Sequence, residues 1–305
     1  MKIKKRIAAI ILLGCCAGLT TPAIAQKKNK LKKGPNISLN ISAKKDSIKT
    51  TYLNLGLLTN IYHLQGVGIN AISSVVQSDM TGFQVSGLAS ITGRHASGIQ
   101  LGGIANVAGA NANGVMLSGL MNVAGNRANG IQISGLGNIA RNTSRGVTIG
   151  GLMNLADDQA QGLQIAGLAN IAGKSQSGIA IGGLMNVSAE KTDGAQIASI
   201  LNISGGTARG AQIAAIGNVG INVNGMQLSA ISNIAAAKIK GLQLCGAVNI
   251  AVETKNALQV SGITNVCQGK LSGIQFAPGN YAGEVSGAQI GLLNLCGGHV
   301  KGIQI

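Results

Sequence analysis

From Gly66 onward the chain repeats itself every sixteen residues. Units begin at Gly66, Gly82, Gly98, Gly114, Gly130, Gly146, Gly162, Gly178, Gly194 and Gly210, each step being 16. Later units begin at Gly225, Gly241, Ala257, Gly273, Gly287 and Gly302, at steps of 14 to 16. A degenerate unit begins near Tyr52, which makes about sixteen units in all. A fixed period this short means that one small structural module is stacked many times, because a single module cannot bury a face alone.

The module has a grammar. Position 1 is Gly, and positions 2 and 4 are Ile, Leu, Val or Ala. Position 3 is usually Gln, as in Gln100, Gln132, Gln164 and Gln196. Position 6 is usually Gly and position 7 Leu or Ile. Position 9 is Asn, as in Asn106, Asn122, Asn138, Asn154, Asn170 and Asn186. Position 10 is aliphatic, position 11 small, and positions 12 to 16 polar and variable. Aliphatic residues on either side of an amide have the strand period of two. Small residues at 5 and 6 shift the phase, as a bulge or corner does. An Ile-rich unit punctuated by Gly opposes a helix.

Two all-β architectures fit. In a β-solenoid, strands over positions 2–5 and 7–11 meet at a glycine corner and the polar segment returns the chain. Sixteen coils then stack at about 4.8 Å, neighbours shielding one another's aliphatic side, with Gln and Asn in ladders. In an antiparallel outer-membrane-type barrel, each unit is one strand and one turn. The 32-residue recurrence of Met121, Met153 and Met185 favours a barrel. The lack of aromatic girdles, of alternating short and long loops and of a terminal aromatic opposes it. The solenoid is the expected fold.

Composition agrees with a thin repetitive structure. Only 2% of the chain is aromatic, there is no Trp, and Gly fills 47 of 305 positions, about double the usual share. A single large core needs bulkier filling. Glycine does not recur every third residue, which excludes collagen. Abundant Ile, Leu and Val at 10% charge exclude plain disorder.

The net charge of +16 is concentrated near the N-terminus: +4 in residues 1–25, +7 in 26–50 and +5 in 51–305. Nucleic-acid binding needs a basic stripe on the folded part, often with stacking rings, so no nucleic-acid partner is expected. Residues 1–25 have the layout of a secretory signal peptide: basic Lys2–Arg6, an apolar run, and Ala23-Ile24-Ala25 as the cleavage site. Leu12-Leu13-Gly14-Cys15 imitates a lipobox, which would anchor the chain through Cys15 instead. Residues 26–51 read as a basic flexible linker, and 52–305 as the repeat domain, with Tyr52, Tyr62 and His63 as a front cap. The chain stops inside a strand motif at Ile305, which points to end-to-end self-association.

No catalytic, cofactor or metal constellation emerges. His63, His95 and His299 are scattered, and Asp157-Asp158 reads as a solvated turn. Gly173-Lys174-Ser175 lacks the earlier glycine of a phosphate loop, since Leu168 stands there. Cys245, Cys267 and Cys296 match no metal spacing and read as core filler. The amide rows are assigned to structure, where stacked amides satisfy one another.

Units such as GIQISGLGNIA, GLQIAGLANIA and GAQIGLLNL resemble a family of bacterial surface-repeat proteins built on G-[ILV]-Q-[ILV]-G-L-x-N cores after a signal peptide. The resemblance covers residues 52–305. It implies an envelope or cell-surface location and carries over no catalytic residue. The expected function is a non-catalytic structural or interaction surface, whose candidate partners are envelope polysaccharide, lipid or another protein. The alternative is a barrel or pore.

Overall fold

The computed structural model describes residues 37–40 and 50–305, with side chains from residue 50 onward. The signal peptide, Cys15 and most of the basic segment lie outside the described residues.

The described residues form no helix. Their 29 strands make one hydrogen-bonded system. The coil around Gly146 shows the pattern. A long strand, Thr143–Gly150, is followed by a corner at 151–152, a short strand, Met153–Ala156, and a second corner at 157–158. The next long strand, Gln159–Ala166, then begins. Long strands pair with long strands and short with short, all in parallel. Gly146 lies opposite Gly130 and Gly162, and Asn154 opposite Asn138 and Asn170. The fold is a β-solenoid of about sixteen coils. The barrel, and a pore through it, are ruled out, because neighbours in such a cylinder reverse direction and here they do not.

The strands differ from the expected bounds. The long strand starts at position 14, so the end of the polar segment is itself strand. Backbone pairing between coils is indifferent to side chains, and a polar stretch in register pairs as well as an aliphatic one. The strand bends at position 1. Gly146 has φ 112°, and a Cβ there would lie 2.2 Å from the carbonyl oxygen of Gly130. A side chain is excluded by both the backbone and the coil below. Among the later units, one position 1 holds a residue with a side chain. Where position 1 is Ala257, the preceding Asn256 takes the positive φ instead, 48°. Each coil therefore has three straight runs, positions 14–16, 2–5 and 8–11, wrapped around one core.

Stacking also starts earlier than expected. Ile37–Asn40, inside the expected linker, is a strand paired with Leu53–Gly56. Its ISLN alternation was masked by the lysines on either side. Tyr52 lies on an interior coil, in the strand Thr50–Ile61, and is not a front cap.

The core is the larger correction. In the coil at Gly146, the buried residues are Thr148, Gly150, Asn154, Ala156 and Ala160, at positions 3, 5, 9, 11 and 15. Aliphatic residues point outward. Ile131 and Ile133 are 40% and 39% exposed, whereas Gln132 between them is 4% exposed. The expected shielding of the aliphatic side does not occur: amides and small residues fill the coil. Two facts favour this phase. The inward positions 5, 11 and 15 are mostly Ala, Ser or Gly, leaving a narrow bore. The corners also leave backbone carbonyls that need donors, and an aliphatic side chain has none.

Candidate functional site

The asparagine row runs without a break from Asn106 to Asn294 and contains Asn122, Asn138, Asn154, Asn170 and Asn186. Asn154 Nδ2 donates to Asn170 Oδ1 in the following coil (2.9 Å) and to the carbonyl of Ile165 just before that coil's corner (2.8 Å). Only an N–H can donate to that carbonyl, so the amide orientation is fixed. Ser90 stands in the same row ahead of Asn106, and its hydroxyl donates to the carbonyl of Leu101 (3.1 Å). An unpartnered buried amide costs about 1–3 kcal/mol; the row avoids that cost while closing the corner.

The glutamine row points the other way. Gln100 Nε2 donates to Gln84 Oε1 of the preceding coil (3.0 Å), and Gln212 likewise to Gln196 (2.9 Å). From Gln196 the row is continuous to Gln304. Gln132 and Gln164 are buried but isolated, because Met116, Thr148 and Ala180 occupy position 3 in the coils between. Gln100 Oε1 and Gln196 Nε2 are left without partners at the ends of the interruption. Opposite amide directions in the two rows partly cancel their dipoles along the stack. All ten amides singled out from the sequence are buried, so none offers a surface for a ligand.

The surface that does face outward went unrecognised in the sequence. At position 7, Leu88, Ile104, Leu120, Leu136, Leu152, Leu168, Leu184, Ile200 and Ile216 form a row 40–47% exposed. Positions 2, 4 and 10 add Ile, Leu and Val on either side. Every Lys, Arg, Asp and Glu in residues 51–305 falls at positions 12 to 16. Two of the three runs and the corner between them therefore carry no formal charge in any coil. That absence was the available signal: alternation looks alike whichever side is buried, but charge is never buried unpaired. Scattered exposed leucines need no explanation, while a continuous apolar strip marks an interaction site. An open groove of about 520 Å³ runs along the strip, lined by Val85, Leu101, Leu117 and Ile133 at position 4 of successive coils, with Ser86, Gly102, Gly103, Ser118 and Gly119.

Some charges of the polar segment pair across neighbouring coils. Lys174 Nζ lies 2.7 Å from Asp158, and Lys238 Nζ 3.0 Å from Glu253. Asp79 meets Arg94 (2.5 Å) and, more loosely, His63 (3.9 Å). Burial opposes the charge on Asp79, but the Arg94 guanidinium and Ser78 hydroxyl outweigh it and hold the carboxyl below the ordinary range. Burial raises the Asp157 carboxyl, with Arg141 pulling the other way. Asp158 raises the Lys174 ammonium. Cys245 and Cys267 are buried free thiols pushed up by desolvation, and Cys296 is a half-buried free thiol. Among the described residues no three of His, Cys, Asp and Glu stand close enough to hold a metal ion.

The class this defines is a parallel β-solenoid with an amide-filled bore, an aliphatic strip on two runs and a charged third run. No protein-family model matches the chain, and no curated protein or solved structure matches it either.

Proposed function

We propose that this is an exported, non-catalytic repeat protein of the bacterial envelope, working as an interaction surface. The observation that carries it is the confinement of every formal charge in residues 51–305 to positions 12–16. A stack that keeps eleven of its sixteen positions free of charge, coil after coil, presents one continuous apolar strip. Such a strip marks a site of interaction. The signal-like residues 1–25 and the resemblance to surface-repeat proteins support an extracytoplasmic setting.

Fractionating cells that make the protein, followed by N-terminal sequencing, tests this. The expected result is recovery with the envelope and a processed N-terminus. Recovery from the cytosol with Met1 or Lys2 still leading would overturn it.

A further inference from the structure

Resting on that reading, we propose that the partner of the apolar strip is a lipid bilayer, on which the solenoid lies lengthwise with the position-7 row at the headgroup–acyl boundary.

Shape argues for this first. The runs at positions 2–5 and 8–11 both direct residues into one core, so the corner between them projects outward. The aliphatic surface is therefore a ridge with two flanks. A second copy of the chain, packing sheet on sheet, covers one flank and leaves the other wet. A fluid acyl layer covers both flanks and the crest together.

Backbone chemistry argues for it next. Within hydrocarbon every N–H and C=O needs an internal partner. Along the ridge these groups bond to the coils before and after, as at Leu152 to Leu136 (2.8 Å) and Leu168 to Leu152 (2.8 Å). Among the described residues no helix is long and apolar enough to cross a membrane, and the strip lies along one side of the stack, so the geometry is interfacial.

Charge is the third argument. The charged positions start at 12 on one margin of the strip and end at 16 on the other, with an excess of +5 over residues 51–305. Residues 26–50 add +7. A charge-free apolar strip bordered by net positive charge has the layout of interfacial elements that settle on anionic membranes. The position-4 groove crosses four successive coils along the strip and is open and mainly apolar.

The test is co-flotation of the protein, in the form recovered from the cells that make it, with phosphatidylethanolamine/phosphatidylglycerol vesicles. One triple variant carries Leu120→Glu, Leu152→Glu and Leu184→Glu on the ridge, in every second coil. A matched control carries Ser97→Glu, Asn129→Glu and Gln161→Glu at position 16. A third variant has Gln at the same three ridge sites, in case the charged set does not fold; circular dichroism checks each. Burial of one leucine favours partitioning by on the order of tenfold. The Gln ridge variant should therefore lose at least about a hundredfold in vesicle affinity, and the Glu ridge variant at least about a hundredfold more than its charge-matched control. Ridge variants that fold and float like the parent overturn the proposal. So does a parent that ignores vesicles but forms dimers by light scattering, dimers that the ridge changes dissolve; the second copy is then the occupant and the interaction-surface reading stands. A parent that neither floats nor associates overturns both.

Discussion

The middle of the stack and its C-terminal part solve the same packing problem with different economies. Both keep the asparagine row intact. Only the coils from Gly194 onward keep the glutamine row intact; between Gly114 and Gly178 it alternates with Met116, Thr148 and Ala180. The filling at position 15 differs too. Ala112, Ala128 and Ala160 occupy it in the middle, Ile239 and Leu271 in the C-terminal part. Positions 3 and 15 lie on one long strand and share one space. Where Ala180 leaves room, Gln176 is drawn inside and donates to the carbonyl of Gly178 (3.1 Å). At the front, Leu64 fills the space that Gly68 leaves. The lesson concerns what each amide serves. Asparagine satisfies backbone carbonyls at corners that every coil has, so it cannot lapse. Glutamine satisfies chiefly other glutamines, so it can lapse if its neighbours adjust.

The sharpest challenge to that contrast is to remove one asparagine from each region. Asn154→Leu and Asn249→Leu should each cost about 3 kcal/mol, because a corner carbonyl and two neighbouring amides lose partners. Urea denaturation measures this, and a large difference between the regions would break the comparison. Glutamine should discriminate. Gln243 donates to Gln227 (2.8 Å) and accepts from Gln259 (2.7 Å), so Gln243→Met should cost about 1–2 kcal/mol. Gln132→Met, in the interrupted region, should cost under about 0.5 kcal/mol by the same assay. A gain is expected from Met116→Gln, which keeps the volume and gives the orphaned Gln100 Oε1 a donor; the urea midpoint should rise, corresponding to about 1 kcal/mol of added stability. The smallest effect belongs to the charged run. The Asp79 carboxyl is held low in the fold. Its stabilisation is therefore present above its unfolded pKa and fades as pH falls through the folded value. Thermal melts of Asp79→Asn should run below the parent at neutral pH, and the gap should close in acid.

The period, the strand class and the corner glycines could be read directly, because repetition is independent of what surrounds it. The side facing inward could not. Alternation at Ile131, Gln132 and Ile133 defines two sides without assigning either to the core, and average hydrophobicity assigns them the wrong way round. What decides the matter is non-local: a carbonyl sixteen residues on, at a corner, needs a donor. The strand Ile37–Asn40 was hidden for a simpler reason, since lysines on either side make four alternating residues look like linker. The row at position 7 was visible in the sequence, but its meaning depended on knowing which side is buried.

The phase of the coil can be measured on the natural methionines. Met116 occupies inward position 3 and is 3% exposed, whereas Met121, Met153 and Met185 occupy outward position 8 and are only half-buried. Limited peroxide oxidation of the folded chain, read by peptide mass spectrometry, should convert Met121, Met153 and Met185 to the sulfoxide well before Met116. Early oxidation of Met116 with protection of the other three would mean that the aliphatic side is the core and the amides face out.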